Sequence, residues 1–291
     1  MATCYRHPSR ETGVSCSNCG RPICTDCMTT TPVGMRCPEC SKQRTKVMRM
    51  RDMAAVPQVT YALIAINVVA FLGEGNLSFG GHPTSSVYEK GALLGSFQGL
   101  PGEGVAHGQW WRIVSGGFLH ESLLHIGFNM YILYVLGLQL EPALGRVKFA
   151  AIYAVALLTG SLGALLVSPH ALTVGASGAV FGIMGATAVE MRARQIPVMQ
   201  SGVGTLIAIN LVISFALPGI SWGGHIGGLV GGALATVVLQ FGDRLRAPAL
   251  ALAGCVLIAA AAVAGSIATA KSSEVESTLS IPSVSLTPEE P

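Results

Sequence analysis

The chain of 291 residues is strongly apolar, with 51% hydrophobic and only 11% charged residues, whereas soluble domains carry roughly 25% charged residues. This composition excludes an ordinary soluble domain and indicates a membrane protein that contacts the lipid bilayer over much of its surface. The net charge of +3 gives no indication of a nucleic-acid-binding protein, and no nucleic-acid partner is expected.

The first forty residues hold seven of the eight cysteines. Together with one histidine they form four close pairs: Cys4 and His7, Cys16 and Cys19, Cys24 and Cys27, and Cys37 and Cys40. Eight such ligands are enough for two tetrahedral zinc sites, and four ligands per metal indicate a structural site. A disulfide framework is the alternative, but thiols stay reduced in the cytoplasm, where we expect this segment. We therefore predict a zinc-binding module over residues 1–41, folded by its metal.

The ligand spacing resembles that of a B-box-type zinc finger. This resemblance implies an interleaved arrangement, with Cys4, His7, Cys24 and Cys27 at one zinc and Cys16, Cys19, Cys37 and Cys40 at the other. A sequential pairing of the same ligands remains open. We expect a docking or regulatory module whose cytoplasmic partner the sequence does not identify.

Three further regions follow the cysteine-rich segment. Residues 42–56 are predicted to form a basic cytoplasmic linker, and residues 57–270 are mostly apolar. Residues 271–291 are rich in Ser, Pro and Glu, and we predict a disordered tail.

The apolar region contains seven candidate membrane helices, because a spanning helix needs roughly 20 mainly apolar residues. They cover 57–73, 121–140, 147–167, 175–191, 201–218, 222–241 and 249–270. A long glycine-containing loop separates the first two helices. The predicted fold is an all-α polytopic membrane protein.

Positive charges predict the orientation of these helices, because Lys and Arg favour cytoplasmic loops. Besides the basic linker, the cationic residues that follow the second, fourth and sixth helices are Arg146, Lys148, Arg192, Arg194, Arg244 and Arg246. The opposite side carries only Lys90, Arg112 and Lys271. We therefore expect a multi-pass protein of the cell membrane with a cytoplasmic amino terminus and an external carboxyl terminus.

Three polar side chains share one depth in the predicted bilayer. His125, Ser177 and His225 each lie a few residues past the outer end of the second, fourth and sixth helices. Polar residues inside membrane spans usually mark function, and a rise of 1.5 Å per residue places all three near the outer surface. This predicts a shallow site that faces outward.

Local sequence indicates how a serine and a histidine meet there. Ser177 lies between Gly175 and Gly178 at the start of a helix, where free backbone N–H groups can hold an oxyanion. Gly224 and Gly228 flank His225 on one face of its helix, and such small-residue faces allow close helix packing. A serine nucleophile needs a positioned base, for which histidine is suited.

A second pair can stabilise the charge that develops on a substrate carbonyl. His125 and Asn129 are four residues apart and therefore share a helix face. Both side chains donate hydrogen bonds, and an oxyanion hole is built from such donors.

These segments together resemble the rhomboid protease signature over roughly residues 57–245: Trp111-Arg112, His120, His125 to Asn129, Gly175 to Gly178, and Gly224 to Gly228. The resemblance implies a six-helix core, to which the seventh helix is added at the carboxyl end. It also implies a Ser177–His225 dyad that needs no cofactor, and an oxyanion hole made by His125, Asn129 and the Ser177 N–H. Trp111 and Arg112 would shape a loop at the membrane edge, and Glu141 is similar to a structural acid of the family. The substrates would be single-span membrane proteins, cut near the outer face.

Each of these residues also has a purely structural interpretation. His225 alone fits a packing histidine, Ser177 can bond a carbonyl one turn back, and His125 with Asn129 fits contacts between helices. Asn67 and Asn210 are interpreted as structural. At the level of function, the alternatives are a catalytically silent relative that binds or escorts membrane proteins, and a transporter or channel that uses the polar residues for ions. Transporters often contain internal repeats and broken helices at the midplane, which this sequence does not show.

Overall fold

The computed structural model describes residues 2–31, 34–42, 56–75, 85–96 and 102–279. The chain forms two compact units, residues 1–55 and 56–291. Most of the predicted basic linker, and the tail beyond residue 279, lie outside the described residues.

The first unit contains two short antiparallel hairpins and one turn of helix. Its elements are β1 (Ala2–Thr3), β2 (Glu11–Thr12), β3 (Thr29–Thr31), β4 (Gly34–Arg36) and α1 (Pro38–Ser41). In register, Ala2 pairs with Thr12 and Thr29 pairs with Arg36. Ile23 and six of the cysteines are buried at its centre. A hydrophobic core this small stabilises a fold only weakly. Buried cysteine side chains occupy positions that hydrophobic side chains fill in a larger domain.

The regular elements in the described residues of the second unit are helices, apart from one isolated β-bridge between Leu93 and Thr173. Its helices are α2 (Gln58–Glu74), α3 (Ser86–Gly91), α4 (Arg112–Ser115), α5 (Leu123–Leu144), α6 (Arg146–Val167), α7 (Ser177–Ala193), α8 (Val203–Ala216), α9 (Trp222–Arg244) and α10 (Pro248–Leu279), with 3₁₀ turns at Val105–His107 and Gly116–Phe118. The seven long helices fall on the seven predicted segments. The predicted fold class, a helical polytopic membrane protein with a small metal-binding module, is confirmed.

Among the described residues, four helices are long and apolar enough to cross a membrane by length and composition, namely α5, α6, α9 and α10. The helices α2 and α8 are apolar but shorter, with 17 and 14 residues. In α7 every residue from Ala179 to Thr187 is buried. The central position of α7 explains this burial, since α6 and α9 pack on it while α10 covers α6.

The last helix continues past the predicted end at residue 270. Ser273 is buried, and Glu274 forms an ion pair with His107 at 2.8 Å. The helix α10 therefore extends into the predicted tail, and the contacts of Ser273 and Glu274 favour the helical conformation there.

Polar side chains fix the starts of three helices. Ser122 accepts a hydrogen bond from the His125 N–H at the start of α5, and Ser221 accepts one from the Gly224 N–H at the start of α9. Glu141, inside α5, accepts bonds from the backbone N–H groups of Val59 and Thr60 at 2.9 and 2.7 Å. A carboxylate at a helix amino terminus stabilises it, so Glu141 joins α2 to α5.

Candidate active site

Ser177 is the first residue of α7 and follows a loop that contains Gly175. The preceding Gly175 has a φ of 127°, a conformation that glycine adopts far more readily than other residues. Its N–H donates to the Gly116 carbonyl at 2.9 Å. The serine side chain is thus held at a helix amino terminus, where backbone N–H groups lack helical partners.

The imidazole of His225 meets this serine from the first turn of α9. The distance between His225 Nε2 and Ser177 Oγ is 2.7 Å, within hydrogen-bond range. The ring also stacks on Phe181, with 4.2 Å between centroids and an interplanar angle of 14°. His225 is only 9% exposed. Its ring is held in position by the contact with Ser177 at its edge and by Phe181 against its face.

Glycines allow the two helices to come this close. A methyl group built on Gly228 would lie 1.9 Å from the Gly178 carbonyl oxygen, and one built on Gly178 would lie 3.3 Å from the Gly224 carbonyl oxygen. The glycine faces identified in the sequence therefore lie against each other, and the approach of the backbones sets the distance between serine and histidine.

The second nitrogen of His225 contacts a residue that sequence reasoning missed. Ser214, on α8, places its Oγ 2.6 Å from His225 Nδ1 and is 2% exposed. A single serine in an apolar helix usually bonds a carbonyl one turn back, so it gives little indication of a role. The one available signal is its position one turn after Asn210, which makes a polar face on α8.

His125 lies against the loop that carries Ser177. A methyl group on Gly175 would lie 2.7 Å from His125 Nε2 and 3.6 Å from Ser177 Oγ. Asn129 is buried and donates its side-chain N–H to the His125 carbonyl at 3.1 Å. A primary amide has two N–H donors, so this bond leaves Asn129 one further donor.

A buried histidine and a buried acid support this region from behind. His120 is fully buried, packs edge-on to the His125 ring at 5.1 Å between centroids, and accepts a bond from the Ala176 N–H at 3.4 Å. Glu74, at the end of α2, accepts a bond from the His120 N–H at 3.0 Å. Sequence reasoning did not single out Glu74, because an acid at a helix end usually lies in solvent.

Arg112 and Trp111 anchor the loop before α5. The Arg112 guanidinium is 2% exposed, donates to the Ala92 carbonyl at 2.8 Å and forms an ion pair with Glu103 at 2.7 Å. Trp111 is 55% exposed and donates from its indole N–H to the Lys90 carbonyl at 3.1 Å. The arginine therefore holds the loop together while the tryptophan lies at its surface, as expected for an interfacial aromatic side chain.

A cavity of about 30 Å³ adjoins the serine and histidine. Its lining includes the hydroxyl-bearing residues Ser161, Thr173 and Ser221. A cavity of this size holds one or about two water molecules when polar groups line it. The site therefore has room for the water that hydrolysis requires.

The first unit gathers its eight predicted ligands into two groups: Cys4, His7, Cys24 and Cys27, and Cys16, Cys19, Cys37 and Cys40. Within each group all ligand atoms lie within 4.8 Å of one another. This is the interleaved arrangement, not the sequential one. All cysteines are free thiols, which disfavours a disulfide framework.

The spacing of these atoms fits tetrahedral zinc. Zinc–sulfur bonds of about 2.3 Å separate two sulfurs by about 3.8 Å, and Cys19 Sγ lies 3.8 Å from Cys37 Sγ. His7 Nδ1 is 3.3 Å from Cys27 Sγ and 3.4 Å from Cys24 Sγ. The Cys37 N–H donates to Cys16 Sγ at 3.3 Å and lowers the pKa of that thiol to about 6, which favours the thiolate that binds a metal.

Comparison with known proteins gives one consistent result. Residues 107–241 match the rhomboid domain. Rhomboid protease GluP of Bacillus subtilis is 33% identical over 206 residues, which are 68% of this chain and 39% of that protein. A second Bacillus subtilis protein, named “Putative rhomboid protease YdcA”, is 33% identical over 135 residues, which are 45% of this chain and 68% of that protein.

A plant relative shows a similar degree of likeness. RHOMBOID-like protein 6, mitochondrial, of Arabidopsis thaliana is 34% identical over 157 residues, which are 52% of this chain and 48% of that protein. The chain thus spans less than two thirds of the length of GluP and of the plant relative, and 68% of the length of YdcA.

Proposed function

Because the chain belongs to the rhomboid family of intramembrane proteases, we propose that it is a serine endopeptidase with Ser177 as nucleophile and His225 as general base. The observation that carries this proposal is the 2.7 Å distance between Ser177 Oγ and His225 Nε2. The two groups come from different helices, and the histidine faces a serine at a helix amino terminus.

The proposed reaction proceeds by acyl transfer. Ser177 Oγ attacks the scissile carbonyl while its proton moves to His225 Nε2. The Ser177 N–H, His125 and Asn129 donate hydrogen bonds to the oxyanion. His225 then gives its proton to the leaving amine, which departs as the C–N bond breaks.

A water molecule completes the turnover. His225 takes a proton from water in the adjoining cavity, the hydroxide attacks the acyl carbon, and the proton returns to Ser177 as the ester bond breaks. These steps use groups of this chain and water, and we propose that catalysis needs no cofactor.

The proposed substrates are single-span membrane proteins cut near the outer face of the bilayer. A buried site at the outer ends of α7 and α9 supports this, if positive charge places the amino terminus in the cytoplasm. A helix entering there has to unwind, because a peptide bond inside a helix is not accessible to the serine.

Replacement of the nucleophile tests the proposal. We expect Ser177→Ala to abolish cleavage of a co-expressed single-span substrate and labelling by a fluorophosphonate probe, while the protein still inserts. Ser266→Ala, which removes a buried hydroxyl from α10, serves as control and should keep both activities. Labelling that persists in Ser177→Ala would show that another residue is the nucleophile, and a silent escort protein would show no cleavage even in the wild type.

For the first unit we propose two structural zinc ions, held by the two groups of four ligands. The ligand distances and the free thiols support this assignment. We propose that this cytoplasmic module docks a partner or regulates the enzyme.

A further inference from the structure

The imidazole of His225 has a hydrogen-bond partner on each nitrogen. Nε2 faces Ser177 on α7, and Nδ1 faces Ser214 on α8 at 2.6 Å. Ser214 is 2% exposed. Three helices therefore contribute to one line of hydrogen bonds, although the proposed dyad involves only two of them.

The positions of the available protons determine which group donates and which accepts in each of these hydrogen bonds. Ser214 Oγ also lies 2.6 Å from the Asn210 carbonyl oxygen, which can only accept. The single hydroxyl proton of Ser214 is therefore donated to Asn210, and Ser214 Oγ acts as acceptor towards His225. The Nδ1 atom then has to carry the ring proton.

This direction determines the tautomer of His225. A neutral imidazole has one N–H and one acceptor nitrogen, so a proton on Nδ1 leaves a lone pair on Nε2. That lone pair points at the hydroxyl of Ser177, which is the arrangement that a general base requires. With the proton on Nε2, the lone pair of Nδ1 would face the lone pairs of Ser214 Oγ, and Nε2 could not take the proton of Ser177.

We propose that Ser214 is a positioning residue that holds His225 in the base-competent tautomer, with Asn210 fixing the direction of its hydroxyl. This inference rests on the proposed function, in which His225 is the base. Ser214 contacts the base and not the substrate, so its effect appears in the catalytic step. The bond from Nδ1–H also strengthens when His225 takes the proton of Ser177, since hydrogen bonds to charged groups are stronger.

Two substitutions at this position separate positioning from packing. Ser214→Ala removes the acceptor and leaves a buried imidazole N–H without a partner. We expect kcat for a single-span substrate to fall between about 10-fold and 100-fold, with KM within about 2-fold of wild type. Ser214→Thr keeps the hydroxyl, and we expect it to restore kcat to within about 3-fold of wild type.

A matched control comes from α10. Ser266 is fully buried and bonds the Ala262 carbonyl one turn back at 2.8 Å, as Ser214 bonds Asn210. Ser266→Ala therefore removes an equivalent hydroxyl from a buried helix face that does not contact His225. We expect wild-type kcat for this variant, measured on the full chain in the same lipid.

The tautomer itself gives a readout independent of cleavage. Histidine-selective ¹⁵N NMR of the full chain, with the His225 signals identified by their loss in His225→Asn, should show one neutral tautomer protonated at Nδ1. In Ser214→Ala we expect a mixture of both tautomers. If Ser177→Ala still cleaves, the proposed function fails but this NMR test of Ser214 remains valid.

Three results would overturn the role of Ser214. The first is a wild-type kcat in Ser214→Ala, and the second is a wild-type His225 tautomer in that variant. The third is an equal loss of kcat in Ser214→Ala, Ser214→Thr and Ser266→Ala, which would show a general loss of helix packing.

Discussion

A hydroxyl behind the proposed catalytic histidine, His225, has different electrostatics from a carboxylate. The charged acid of a soluble serine protease stabilises the imidazolium directly, but a buried charge in a membrane span is costly. Ser214 accepts a hydrogen bond from His225 without adding a second ionisable group, at 2.6 Å. A neutral partner therefore fixes the tautomer at a smaller cost of desolvation.

The proposed oxyanion hole can be tested by a substitution of Asn129. Its amide donates one N–H to His125 and keeps a second for the substrate. We expect Asn129→Ala to lower kcat by about 100-fold with little change in KM, because the lost donor acts on charge that exists only in the transition state. Steady-state cleavage of a purified substrate measures both constants.

Asn67 provides the matched control for this substitution. It is buried on α2 and donates its amide to the Leu63 carbonyl at 2.8 Å, one turn back, as Asn129 does on α5. We expect Asn67→Ala to keep a wild-type kcat. An equal loss in both variants would assign Asn129 to packing and remove it from the oxyanion hole.

At the scale of helices, the contact between α7 and α9 sets the distance between Ser177 Oγ and His225 Nε2. A methyl group on Gly228 would overlap the Gly178 carbonyl oxygen, which would lie only 1.9 Å away. We expect Gly228→Ala to push the helices apart, abolish fluorophosphonate labelling of Ser177 and destabilise the fold by about 1–3 kcal/mol. Labelling kinetics and thermal unfolding in detergent measure these effects.

Gly73 on α2 is the control for this contact. Nothing in the described part of the chain lies within 4 Å of a methyl group built there. Gly73→Ala should keep wild-type labelling and gain slightly in stability, since alanine is the better helix former. Normal labelling in Gly228→Ala would mean that glycine packing does not hold the two groups together.

The sequence predicted the helices more completely than it predicted the details of the site. Apolar runs of helix length predicted all seven long helices, and glycines at four-residue spacing predicted the faces that lie between α7 and α9. Ser214 could not be predicted, because its role depends on how α8 is placed against His225, and no local pattern encodes that placement. Glu74 was missed for the same reason, as its partner His120 is distant in sequence.

At the scale of the whole chain, the first unit is expected to hold its own metal. We expect purified full-length protein to contain about two zinc ions per chain and Cys16→Ser to contain about one, because each group of four ligands binds one ion. Cys255→Ser changes a buried cysteine of α10 and should keep about two. Metal analysis measures the content, and a metal-free wild type would overturn the assignment.

The orientation of the chain depends on how many helices cross the bilayer. Seven crossings place the two termini on opposite sides of the bilayer. Four crossings, by the four described helices that meet the length and composition criteria, place them on the same side. We expect seven, because Arg146, Arg194 and Arg244 lie near the ends of α5, α7 and α9 that should share the cytoplasmic side. The packing of α7 between α6 and α9 allows a short, less apolar helix to cross, since protein and not lipid surrounds it.

A fluorescent protein fused before Cys4 should therefore fluoresce in the cytoplasm, and a phosphatase fused after residue 291 should be active only outside. Internal fusions after Ser168 and Arg194 should report outside and cytoplasm, and termini on one side would contradict the seven-helix topology.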